Sequence, residues 1–159
     1  MGGTPAVQAL ERAGVPHTLH PYDHDPRARS FGVEAADVLG VDPARVFKTL
    51  VAQVDEALVV GIVPVSRWLD LKALARAVGA RRAAMAEPSA AQRATGYVLG
   101  GISPLGQRRG LPTVLDESAL AHDTILVSAG RRGLDVELTP SDLVSLTSAT
   151  TAAITQSTR

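Results

Sequence analysis

The stretch VFKTLVAQV-DEA-LVVGIVPV, residues 46–65, is the strongest constraint on what this chain can fold into. Two runs dense in Val, Leu and Ile are joined by a connection too short for anything but a hairpin, because parallel strands need a crossover of a dozen or more residues. Side chains alternate across a strand. Val46, Lys48, Leu50 and Ala52 therefore share one face, and Phe47, Thr49, Val51 and Gln53 the other. Lys48 stands on an otherwise apolar face. It is one of two lysines, with Lys72, among sixteen basic residues. A lysine in that place either snorkels and guards an edge, or aims a compact ammonium into a cleft to hold a phosphate or a carbonyl oxygen. The residues alone leave both readings open.

Short helices and strands surround the hairpin without a regular rhythm. TPAVQALERAG predicts a helix with Thr4 as N-cap, Pro5 at its first position and Gly14 as its stop. VPHTLHPY is extended, and Pro16 and Pro21 confine it to a sheet edge. SFGVEAADVLG predicts a helix capped by Ser30 and closed by Gly40, and Asp70 caps another over LKALARAVG. RRAAMAEP reads as a short strand, SAAQRATG as a helix closed by Gly96, and residues 97–112 as a loop. TVLDESAL, DTILVSAG and LDVELTP supply three more strands, the first passing into a helical turn. SDLVSLTSA is a final helix capped by Ser141, and the small polar tail, about 148–159, is expected to fray. With no repeat or linker, residues 1–159 read as one domain of α/β class in the α+β sense. Its sheet is expected to be mixed and largely antiparallel, with helices around it.

Composition closes off several functions. The absence of cysteine excludes a disulfide framework, a thiolate nucleophile and a thiolate metal site. No apolar run approaches the roughly 18 residues that span a bilayer, and no charged-then-apolar signal opens the chain, so a soluble cytoplasmic protein is expected. Sixteen basic and sixteen acidic residues cancel. A chain that grips many phosphates by itself is basic overall, so any nucleic-acid contact is local, weak or shared with a partner. The aromatic rings are Tyr22, Phe31, Phe47, Trp68 and Tyr97, few enough that the place of each matters.

The densest cluster of Gly and Pro is TGYVLGGISPLGQRRGLP. Gly101 and Gly106 have P-loop spacing, but Gln107-Arg108 replaces the required Lys and Ser or Thr, and Pro104 removes an N–H from the cradle. GISPL falls short of a nucleophile elbow because Leu105 takes the last glycine position. What remains is backbone. Gly100-Gly101 would let a ligand approach closely, with the N–H groups of Gly100, Gly101 and Ile102 directed into a pocket; otherwise the stretch is a turn-rich surface loop. HTLHPYDHD gathers His17, His20, His24, Asp23 and Asp25, yet a strand sends His17 and His20 to opposite faces, so surface histidines rather than a metal site are expected. The pairs Arg81-Arg82, Arg108-Arg109 and Arg131-Arg132 suit phosphate contacts or simple solvation. Spacing assembles no Ser-His-Asp set.

Several stretches in register, TPAVQALERAGV, YDHDP, FGVEAADVLGVDPARVFKTL, TGYVLGGISPLGQ and TILVSAGRRGLDVEL, resemble the YbaK/EbsC family, and within it the Cys-tRNA(Pro) deacylases. The resemblance runs from about Thr4 to Leu146. It implies a free-standing aminoacyl-tRNA editing domain with a mixed, barrel-like sheet, related to the one inserted in bacterial prolyl-tRNA synthetases. Such a protein removes Cys from the acceptor end of mischarged tRNA(Pro), acts with prolyl-tRNA synthetase, and needs neither metal nor cofactor. The family's essential lysine falls on Lys48, beside Thr49. Tyr22 and Phe31 fall on pocket aromatics, and the loop residues on Tyr97, Gly100, Gly101, Ile102 and Ser103. The last hairpin supplies Ser128, Gly130 and Asp135. Ala129 departs from the glycine common in relatives, which is expected to narrow the pocket slightly. The resemblance further implies that the protein supplies no nucleophile. The substrate's own thiol attacks the ester, amides of residues 100–102 hold the carbonyl oxygen, and Lys48 anchors the 3′-terminal phosphate or ribose. Editing of Ala-tRNA(Pro) with water as nucleophile, or a catalytically silent aminoacyl-binding module, are the alternatives.

Overall fold

The computed structural model describes residues 3–27 and 31–156, the Phe31 side chain excepted. Helix α1 (Pro5–Ala13) is built as its caps dictate: Thr4 Oγ1 accepts from the Val7 N–H at 3.2 Å, and Gly14 closes it in the left-handed region at φ 67°. Strand β1 (Thr18–Pro21) follows, then α2 (Phe31–Leu39), whose expected cap Ser30 lies outside the described residues. The hairpin forms from β2 (Phe47–Val54) and β3 (Ala57–Pro64), with Val54 opposite Ala57 across the turn. Next come β4 (Trp68–Leu69), α3 (Leu71–Ala77) capped by Asp70, β5 (Ala83–Met85) and α4 (Pro88–Thr95) closed by Gly96. Strand β6 (Thr113–Asp116) runs into a 3-10 turn at Glu117–Ala121, followed by β7 (Ile125–Arg131), β8 (Leu134–Leu138) and α5 (Pro140–Thr147).

Two expectations at the C-terminus are corrected. The cap of α5 is Thr139, whose Oγ1 accepts from the Asp142 N–H at 3.1 Å, and not Ser141. Proline is at home at the first helical position, so the cap sits just before Pro140. The tail expected to fray carries β9 (Thr150–Ala152) and β10 (Thr155–Gln156). Between them Ile154 is fully buried; its N–H donates to Asp116 Oδ1 at 2.9 Å and its carbonyl accepts from the Asp70 N–H at 2.7 Å. Burying one such side chain is worth about 1.5–3 kcal/mol, enough to hold a short tail down.

The strands form a five-stranded sheet in the order β5-β2-β3-β6-β9, a three-stranded sheet β1-β8-β7, and the pair β10-β4. Pairing is antiparallel except along β3-β6 and β6-β9. The sheet is not the barrel that the resemblance implied. Among the described residues β5, β9 and β1 are open edges, and the two larger sheets join through one parallel bridge, Val46 with Leu126. One core cluster packs Phe47, Val51 and Ile62 against α1 and the β7–β8 hairpin; a second gathers Ala52, Val54, Val63, Leu74 and Ile154 beneath α3. A third holds α2 over Val46, Val65 and Leu126.

Candidate active site

The junction of the two sheets places the site. From the bridge of Val46 with Leu126, two residues further along both strands, come Lys48 and Ser128. Ser128 pairs with Asp135 on β8, and Asp135 with His20 on β1. Lys48, Ser128 and Asp135 line a pocket of about 240 Å³, together with Tyr22, Thr49, Gly100 and Ile102, and with Gly32, Val46, Phe47 and Leu50, which sequence reasoning missed. These last four are apolar or lack a side chain, and only their place beside the bridge marks them.

The glycine-rich loop contributes backbone, and it does so alternately. Gly100 and Ile102 line the pocket, and neither N–H donates to a protein acceptor among the described residues. Gly101 does not line it: its N–H donates to Val98 O at 3.0 Å, and a Cβ there would lie 2.9 Å from the Arg131 backbone. Gly101 is a packing glycine, because only a residue without Cβ lets the loop press so closely on the β7–β8 turn. Arg132 clamps the same loop, its Nε and Nη2 donating to Leu99 O at 3.0 and 2.6 Å. That guanidinium braces the loop.

Two polar groups in the pocket have no protein hydrogen-bond partner among the described residues. Thr49 Oγ1 is buried with no hydrogen-bond partner among the described residues. An orphaned buried hydroxyl costs about 1–3 kcal/mol, which a ligand can return. Asp135 is only 6% exposed and receives no donor among the described residues. Burial pushes its carboxyl up to about 7, so it is near half-ionised at neutral pH. The same burial pushes the Tyr22 hydroxyl up to about 12, with the negative charge of Asp135 adding to it, so Tyr22 stays a neutral donor. Lys48 Nζ lies 5.4 Å from the centroid of the Trp68 ring at the edge of this region.

Other expected site residues stand elsewhere. Tyr97 is in the core, its hydroxyl donating to Leu105 O at 2.6 Å. Ser103 is fully buried and builds a turn, its Oγ accepting from the Leu105 N–H at 3.1 Å. Gly130 fits between Tyr97 and Thr4 and donates its N–H to Ser128 Oγ at 3.1 Å, so it orients Ser128 from behind. Ala129 points into the core, opposite to Ser128, and does not narrow the pocket. Phe31 opens α2, and its side chain lies outside the described residues. The histidines have separate partners: His17 Nδ1 meets Val15 O, His20 meets Glu137, and His24 meets Glu34.

Comparison with known proteins gives this geometry its context. Residues 25–146 match the family model of the aminoacyl-tRNA editing domain. EbsC of Enterococcus faecalis, named for Cys-tRNA(Pro)/Cys-tRNA(Cys) deacylation, is 37% identical over 153 residues, covering 96% of this chain and 93% of that protein. A crystal structure described as that of a trans-editing enzyme for prolyl tRNA synthetase superposes with a TM-score of 0.84 at 26% identity, over 98% of this chain and 99% of that one. A hypothetical protein of known structure shares the fold, with a TM-score of 0.86 at 23% identity over 96% of this chain. With more than half of its length inside the family model, and a relative this similar along nearly all of it, the chain belongs to the aminoacyl-tRNA editing domain family.

Proposed function

We propose that this protein is a deacylase that removes Cys from mischarged tRNA(Pro), with the substrate's own thiol as nucleophile. The observation that carries this reading is the content of the pocket. It holds one ammonium, two unengaged backbone amides, an orphan hydroxyl and a buried carboxyl, while no histidine lines it to activate Ser128. Such a site positions and stabilises, and the reactive atom comes with the substrate. The thiol gives its proton to solvent, and the thiolate attacks the ester carbonyl. The C–S bond forms, the bond to the ribose oxygen breaks, and that oxygen takes up a proton. Water then opens the cyclic thioester to free cysteine. Amides of Gly100 and Ile102 hold the carbonyl oxygen as charge gathers on it, each worth about 3 kcal/mol in the transition state. Asp135 pairs with the α-ammonium, and Lys48 anchors the terminal phosphate or ribose.

A pocket of about 240 Å³ has room for the aminoacyl ester but not for the body of a tRNA. With formal charge zero, the chain carries no net electrostatic attraction for tRNA phosphates. Identity of the tRNA is therefore supplied by prolyl-tRNA synthetase, as a cytoplasmic partner. Among the described residues no helix is long and apolar enough to cross a membrane.

One observation favours a second reading. A carboxyl poised near neutrality could serve as general base for water, which would permit release of Ala from tRNA(Pro). Purified protein should be incubated with Cys-, Ala- and Ser-tRNA(Pro) and with Cys-tRNA(Cys), with and without prolyl-tRNA synthetase. Release of Cys alone, faster from tRNA(Pro) when the synthetase is present, is the expected result. Release of Ala would establish the second reading, and no release would reduce the protein to a binding module.

A further inference from the structure

The chain has one tryptophan, and it is placed where burial does not explain it: Trp68 remains 48% exposed. Its position is nevertheless fixed. After β3 the chain reverses at residues 64–67, with the Arg67 N–H donating to Pro64 O at 3.1 Å, and β4 returns beside the pocket. Trp68 pairs with Gln156 and Leu69 with Thr155 on β10, next to the buried anchor Ile154. This frame holds the ring 5.4 Å from Lys48 Nζ, inside the roughly 6 Å over which an ammonium is attracted to an aromatic face.

We propose that Trp68 is a positioning residue that holds the Lys48 ammonium ready at the pocket edge, with the β10 tail strand as its support. The proposal rests on the reading of Lys48 as substrate anchor. A free lysine stem samples many rotamers, and the entropy of fixing it is charged against substrate binding. A ring that already holds the ammonium on one side removes part of that cost before the substrate arrives. The effect should therefore appear in KM more than in kcat.

Trp68→Ala and Trp68→Phe separate this role from simple bulk. Trp68→Ala is expected to lower kcat/KM for Cys-tRNA(Pro) by about three- to thirtyfold, chiefly through KM, matching the usual span of such contacts. Trp68→Phe keeps a π face and is expected to restore activity to within about threefold of wild type. An unchanged unfolding midpoint in Trp68→Ala confirms that the fold survives. A second readout needs no activity: as the only indole, Trp68 reports its own surroundings, and Lys48→Met should alter its emission spectrum. Identical emission in Lys48→Met and wild type overturns the pairing whatever the activity. Wild-type rates in Trp68→Ala, or a Phe variant as impaired as the Ala variant, overturn the positioning role. A wild-type protein that hydrolyses no aminoacyl-tRNA while the emission still responds to Lys48→Met refutes the deacylase reading, and with it the positioning role.

Discussion

Two buried aspartates divide the molecule into a part that is finished and a part that waits. Asp116 is 2% exposed, and both its oxygens are used: Oδ1 accepts from the Ile154 N–H at 2.9 Å and Oδ2 from the Ser118 N–H at 3.2 Å. Asp135 is nearly as buried, yet no donor among the described residues reaches it, and its carboxyl is pushed up to about 7. A buried carboxyl with partners is architecture, here the pin that holds the tail. One without partners costs stability, and the cost makes sense where a ligand with a positive amino group completes it.

The contrast can be broken most forcefully at Asp116. Asp116→Ala orphans two backbone N–H groups and should cost about 2–5 kcal/mol in urea unfolding, loosening β9 and β10. A loss below about 0.5 kcal/mol, typical of surface changes, would mean that the tail is not pinned there. Asp135→Asn should act in the opposite direction. A folded pKa of about 7, above the ordinary 3.8, means the folded state holds its proton more tightly. Stability from this group is then full below about pH 4, declines as pH rises, and levels off above pH 7. Asn removes the decline, so at pH 8 the variant should exceed wild type by up to about 4 kcal/mol while deacylation falls at least tenfold. A variant less stable than wild type at pH 8 would show that Asp135 is structurally paired after all. Gly101→Ala should cost about 1–3 kcal/mol by overpacking against the Arg131 backbone, and should slow hydrolysis by displacing the Gly100 and Ile102 amides. Unchanged kcat would separate the loop from the chemistry.

Much of this frame was legible in the sequence, and the rest was hidden for physical reasons. The β2–β3 hairpin and helices α1 and α3 follow from local signals: β-branched runs around a short turn, Thr4-Pro5 and Gly14, and Asp70. The tail was misread because its pairing is non-local. β9 rides on β6 and β10 on β4, and Ile154 is its one large apolar residue. In the site, strand alternation brought Lys48 under suspicion, and the family register placed it. Neither could tell Gly101 from its neighbours, since which amide turns inward depends on the facing Arg131 backbone. Tyr97 shows the same limit: the family resemblance put it among the loop residues of the site, and only the packing against Gly130 and the bond to Leu105 O place it in the core.

The central claim is that Lys48 anchors the substrate in a site that positions and stabilises it without a nucleophile of its own. It is tested most directly by single-turnover hydrolysis of Cys-tRNA(Pro) with wild type and Lys48→Ala at equal protein well below saturation. A partly buried side chain that lines the pocket can be removed without unfolding the sheet, so the variant should keep its unfolding midpoint and lose essentially all hydrolysis. Near-normal release of cysteine by a folded Lys48→Ala protein would contradict the account.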